Sequence, residues 1–227
     1  SARNVFPADT VAEKRIETLL VEEGVAFAVV TRQYAALFEE IERREAEWHF
    51  PVGSTQFGIE QWYIATHHLE RGSIWKGGIH TGIDWNVEIA PRGDVDRGQP
   101  TYAVADGVIH GTWYSEACLG SVVYRVQHDG LPLWVRHWHL AKDALFLSWQ
   151  AGMPVEGGYE IGNLGDYAGG DHLHFDMCVE AFHPGAWWAV MSGVSEAEKL
   201  ARWVDPVGVL KAHLDPELVD AALRVGG

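Results

Sequence analysis

Gly169-Gly170-Asp171-His172-Leu173-His174-Phe175-Asp176-Met177 is the stretch on which the fold turns. Leu173, Phe175 and Met177 alternate with His172, His174 and Asp176, a period of two that predicts a half-buried β-strand. On such a strand His172 and His174 project to one face, about 6.6 Å apart, opposite an apolar row. Two imidazoles side by side suit a metal ion with a proton-transfer group next to it.

Working outward, residues 51 to about 180 hold short strand-like runs broken by glycine turns. Strands are expected at 102–111, 120–126 and 131–139, and a further glycine-punctuated β segment at 152–165. Asp129-Gly130 has the turn chemistry of a two-residue hairpin between the second and third. The density of short strands, with no βαβ rhythm, indicates a β-sheet domain. Residues 1–50 read instead as an N-terminal helical segment. Thr10 and Glu13 form a capping-box pattern, and Ala26, Val30, Tyr34, Leu37, Phe38 and Ile41 recur at helical spacing. Pro51 and Gly53 mark the boundary. Beyond the sheet, a helix is expected over 195–202, a return to the sheet over 205–210, and a terminal helix over 216–225. The division is therefore 1–50 helical, 51–210 the main domain, and 211–227 a helical tail.

Composition narrows the function. Of 227 residues 47% are hydrophobic and 11 are tryptophan, enough for a packed core. Lys and Arg number 17 against 32 Asp and Glu, so the formal charge is 17 − 32 = −15. That balance argues against nucleic acid as a partner, and against electrostatic adhesion to anionic membranes or wall polymers. No apolar run approaches the roughly 18 residues a membrane span requires. Cys118 and Cys178 have no CxxC context and read as two buried thiols, with one disulfide between them as the alternative. The chain begins at Ser1 without Met, so a targeting signal is expected to lie outside it.

The second informative stretch is Gly78-Ile79-His80-Thr81-Gly82-Ile83-Asp84. Its glycine and β-branched residues favour an extended segment over a helix. His80 and Asp84 offer a nitrogen and a carboxylate oxygen, and one strand imidazole added to them completes an N₂O set. Three protein ligands with an open fourth position are what a catalytic zinc site needs, whereas structural zinc is closed by four. A competing pair, His137 and His139, lies in Trp134-Val135-Arg136-His137-Trp138-His139-Leu140. Residue chemistry alone does not choose between the two His-x-His pairs.

The order of motifs does. GIHTGIDW at 78–85, TYAVADGVI at 101–109, VQHDG at 126–130, HWHL at 137–140, GYEIGNLG at 158–165 and HLHFDM at 172–177 follow one another. This succession resembles the lysostaphin/LytM-type zinc endopeptidases that cut peptidoglycan peptides, and it covers roughly residues 51–180. The segment DPVGVL at 205–210 is similar to that family's closing segment. The resemblance implies a mainly β, α+β fold: a curved antiparallel sheet with a narrow substrate groove and zinc on its floor. It implies one zinc per chain on His80, Asp84 and His174, with His139 and His172 as the catalytic histidines. His137 stands where the family has tyrosine, and residues 86–99 are expected to form a longer loop beside the groove. The implied substrate is a peptidoglycan peptide, and the implied location is extracytoplasmic. The sequence lacks the His-Glu-x-x-His helix that places a glutamate base in zincins, so the two catalytic histidines inherit proton transfer. Two other readings belong beside this one: a non-catalytic LytM-like module that binds the wall or activates another hydrolase, and a zinc peptidase acting on a non-wall peptide. The presence of all three ligands and both histidines favours the enzyme.

Overall fold

A computed structural model describes residues 47–71, 79–87, 95–168, 170–186 and 195–223. The helical reading of 1–46 and residues 88–94 of the expected 86–99 loop lie outside the described residues, and Asn86 and Val87 belong to a strand rather than to that loop.

The alternating stretch forms strand β9, Leu173–Cys178, and the sheet is assembled around it. One edge of β9 pairs with β6, Leu131–Leu140. The other edge is shared: β2, Ile83–Val87, takes Leu173 to Phe175, and β10, Trp203–Val204, takes Met177 and Cys178. Beyond β6 come β5, Leu119–His128, β4, Gly107–Ser115, and β7, Pro154–Val155, while β1, Trp62–Thr66, closes the far side. The order is β1-β2-β9-β6-β5-β4-β7, with every pairing antiparallel. A second, two-stranded sheet joins β3, Pro100–Tyr102, to β8, Glu160–Asn163. The β5–β6 hairpin turns at Asp129 and Gly130, with φ of 51° and 74°. Two positive φ values suit a tight hairpin turn whose twist matches its strands.

The core lies under the apolar row of β9. Leu173, Phe175 and Met177 are fully buried against Trp85, Ile83 and Val135. Here the sequence reading needs correction, because β9 is buried on both faces, not half-buried. The polar row is covered too, with His174 at 8% and Asp176 at 0% exposure.

Four α-helices lie among the described residues, α1 Ala144–Ser148, α2 Glu196–Arg202, α3 Pro206–His213 and α4 Pro216–Leu223, besides a 3-10 turn at Ile59–Gln61. The expected return to the sheet over 205–210 is wrong by two residues. Trp203 and Val204 make that return, and 206–213 is helix. Asp205 caps it by accepting from the Val207 amide at 3.0 Å, and Pro206 occupies the first turn. A capping carboxylate followed by proline starts a helix, and this local signal overrides the strand preference of the two valines. Helix α3 crosses residue 210, and Leu210 and Val219 join the main core. No helix among the described residues is long and apolar enough to cross a membrane.

Candidate metal centre

Strands β2 and β9 are in the register that places Asp84 directly opposite His174. Gly82 permits this approach: a Cβ there would lie 2.2 Å from the Phe175 carbonyl oxygen. His80 sits just ahead of β2, its amide donating to the Glu70 carbonyl at 2.9 Å. The result is three ligand atoms in one place. His80 Nε2 is 2.9 Å from His174 Nδ1 and 3.1 Å from Asp84 Oδ1, and His174 Nδ1 is 3.0 Å from Asp84 Oδ1.

The far side of each ring indicates where its proton sits. His80 Nδ1 faces the His67 carbonyl at 3.2 Å, and His174 Nε2 faces Asp176 Oδ2 at 3.0 Å. Donation to those oxygens leaves His80 Nε2 and His174 Nδ1 with lone pairs turned on each other and on a carboxylate. Three acceptors in mutual contact repel unless a cation lies among them. Zinc fits this donor set: two imidazoles and one carboxylate, each imidazole oriented by a carbonyl or carboxylate behind it. Tetrahedral bonds of about 2.0–2.1 Å put ligand atoms roughly 3.3 Å apart, so the cluster needs to widen by only a few tenths of an ångström.

Asp176 is held in turn. Arg136, opposite it on β6, donates Nε to Oδ1 at 3.0 Å and Nη2 to Oδ2, and Thr81 Oγ1 donates to Oδ2 at 3.0 Å. Burial alone would raise this carboxyl, but Arg136 and His174 outweigh it and hold it at about 2. Burial also disfavours a proton on His174, yet hydrogen bonds to Asp176 and Asp84 prevail and its pKa is raised. In the absence of metal, a proton on His174 is thus the cation that the cluster calls for, and it competes with metal binding.

His139 and His172 lie beside this cluster. The β5–β6 register slips between Gly120 and Ser121: Gly120 opposes Leu140, Ser121 opposes Trp138, and His139 is the extra residue. Its φ is 68°, a left-handed conformation uncommon for a residue with a side chain. Bulges re-aim side chains next to sites, and this one turns His139 away from the face His137 occupies. His139 Nδ1 donates to the Cys118 carbonyl at 3.0 Å, leaving Nε2 as a base. Its ring stacks on Tyr167 at 4.0 Å and meets the His172 ring edge-on at 4.6 Å. Burial, with His172 and His174 nearby, pushes the His139 pKa well below its ordinary value. His172 precedes β9 and is anchored by Nδ1 to the Gly170 carbonyl at 2.7 Å, with Nε2 3.6 Å from Asp84 Oδ1. All five residues singled out in the sequence therefore lie in one neighbourhood.

His137 does not. It points into the core beside Phe175, where Tyr124 Oη lies 3.1 Å from Nε2 and accepts from the Val104 amide at 2.9 Å. Burial pushes the His137 pKa down to about 3. The sign follows: between pH 6.5 and 3 the unfolded chain holds a proton here that the folded chain refuses, so this stability is complete above 6.5 and declines as pH falls. From pH 6.5 to 5 the loss from this group is roughly 2 kcal/mol. Urea unfolding of His137→Gln at both pH values should show a shallower decline than the parent by about that amount; equal declines would refute the assignment.

Sequence reasoning missed Arg136, Thr81 and Tyr167, and it missed Asp171. The Asp171 carboxylate accepts from the Tyr167 amide at 2.7 Å and from Arg97 Nε at 2.8 Å, fixing the loop that carries Tyr167. The cysteines remain unbridged. Cys178 is buried as expected, but Cys118 is only half-buried.

No protein-family model and no curated protein matches the sequence. Among solved structures, the chain is similar to the solution structure of lysostaphin, at 20% identity over 78% of this chain and 57% of that one, with a TM-score of 0.46. It is also similar to the catalytic domain of the antimicrobial peptidase lysostaphin from Staphylococcus simulans, at 22% identity over 70% of this chain and 98% of that one, TM-score 0.48. A zinc-containing peptidase from Vibrio cholerae is similar at 22% identity over 59% and 36% of the two chains, TM-score 0.40. The chain thus spans little more than half of whole lysostaphin, at 57%. The described residues of this chain form an antiparallel β-sheet with few helices.

Proposed function

We propose that this chain is a zinc-dependent endopeptidase that hydrolyses cross-links or stem peptides of bacterial peptidoglycan outside the cytoplasm. The observation that carries the reading is the convergence of His80 Nε2, Asp84 Oδ1 and His174 Nδ1 within 3.1 Å, three acceptors turned on one another. Three protein ligands leave coordination open for catalysis. A zinc ion held there supplies Lewis acidity and lowers the pKa of bound water. The chain's own residues do the rest. His139, kept neutral by burial and with Nδ1 tied to Cys118, presents Nε2 as the base. His172, 3.6 Å from Asp84, is placed to donate a proton to the leaving amine or a hydrogen bond to a developing oxyanion. Tyr167, its ring stacked at 4.0 Å, and Trp138, near-parallel at 5.5 Å, hold that imidazole in orientation.

The substrate rests on the order of motifs in the sequence. At a formal charge of −15 the chain gains nothing from long-range attraction to anionic wall polymers, so recognition falls to the peptide itself. Digestion of purified sacculi of several cross-link chemistries, with new amine termini identified by mass spectrometry, tests the proposal. Release of amines from one chemistry, stopped by a chelator and restored by zinc, is the expected result. No release from any of them by zinc-loaded protein would exclude a wall substrate and favour a non-wall peptide.

A further inference from the structure

A second group of metal-ligating side chains lies at the other end of the sheet. Strand β5 starts beside Cys118, whose carbonyl meets His139, and its last residue is His128. Ten residues at about 3.3 Å each separate the two ends by roughly 30 Å. His128 Nδ1 there faces Nε2 of His213, the last residue of α3, at 2.8 Å. Asp129 follows in the hairpin turn, and one ligand atom from each of the three residues falls within 4.8 Å of the others.

We propose that His128, His213 and Asp129 form a second metal site, for a divalent transition-metal ion of the zinc class. Imidazole nitrogens with one carboxylate select such ions over calcium or magnesium, which prefer oxygen alone. The ring planes are set in advance: His213 stacks flat on Trp48, centroids 4.2 Å apart and planes 3° from parallel, and Trp48 meets His128 edge-on at 6.0 Å. Tetrahedral coordination asks the two nitrogens to part to about 3.3 Å. His213 ends its helix and Asp129 is 80% exposed, so both can make that adjustment. The ion ties together residues 85 apart in sequence, pinning the end of α3 to the β5–β6 turn. It is a stabilising clasp, distinct from the centre at His80, Asp84 and His174.

Metal counts on the full chain test this without reference to activity. Zinc-saturated protein should hold two ions by elemental analysis, His213→Gln and His128→Gln one each, and His174→Ala/His213→Gln none. Thermal unfolding of His174→Ala should shift upward on adding zinc, and that shift should vanish in the double variant. Cobalt added to His174→Ala should give a tetrahedral visible absorption band, a readout that needs no change at the new site. Circular dichroism confirms that each variant is folded. A single ion in the parent that survives both His213→Gln and His128→Gln would overturn the proposal, and so would His174→Ala that takes up neither zinc nor cobalt. Failure of the peptidase reading alone would leave these counts unchanged.

Discussion

Replacing His174 with alanine is expected to remove one zinc ion and peptide hydrolysis together. His174 Nδ1 is the atom closest to both other members of the cluster, 2.9 Å from His80 Nε2 and 3.0 Å from Asp84 Oδ1. Without it, a nitrogen and an oxygen remain on one side of the site, too few to fix a tetrahedral ion. Asp176 keeps its ion pair with Arg136, so the fold should survive the change. Under the proposed function, activation of water and polarisation of the scissile carbonyl would depend on the same ion, and losing several kcal/mol of transition-state stabilisation would lower turnover by a factor on the order of 10³ or more. Elemental analysis and an amine-release assay on the same preparation provide the check. A variant that keeps the parent's full zinc complement would remove His174 from the ligand set and give its place to His172.

What could be read from the sequence was local in origin. Asp129-Gly130 specifies its hairpin through the φ values those two residues tolerate, and the turn then fixes the β5–β6 register. His80 and Asp84 share a short extended segment, so their convergence needs little beyond Gly82 and the pairing of β2 with β9. The features not legible depend on register across strands far apart in the chain. Arg136 and Asp176 are 40 residues apart and oppose each other only because β6 pairs with β9. No spacing rule announces that a buried arginine will hold the carboxylate that orients His174. The same holds for His137 and His139, identical in type and two residues apart. An unbulged strand would put both on one face, and one extra residue opposite Gly120 and Ser121 sends one into the core and the other to the site. The half-buried reading of β9 failed for a related reason: alternation identifies the apolar face, but it does not reveal that Arg136 and Thr81 cover the polar one.

His139→Ala and His172→Ala are expected to separate proton transfer from metal binding. Five candidate residues exceed what a three-ligand site uses, and the geometry divides them. His80, Asp84 and His174 touch one another within 3.1 Å, whereas the His172 nitrogen stands 3.6 Å from Asp84, and His139 reaches the group through ring contacts with His172 and His174. Each single variant should retain zinc and lose turnover by a factor of about 10² to 10⁴, the range for a removed acid–base group. The two should differ in pH dependence. Burial holds the His139 pKa well below its ordinary value, so the imidazole is neutral at pH 7 and becomes protonated only in acid. The parent's kcat/KM should therefore stay level as pH falls through 6.5 and drop only below that, as the base is titrated. In His139→Ala this acid-side drop should disappear from the residual activity, while His172→Ala should preserve it. Loss of zinc from either variant in step with its activity would show that a ligand had been mistaken for a proton carrier, and an acid limb unchanged in His139→Ala would assign the base elsewhere.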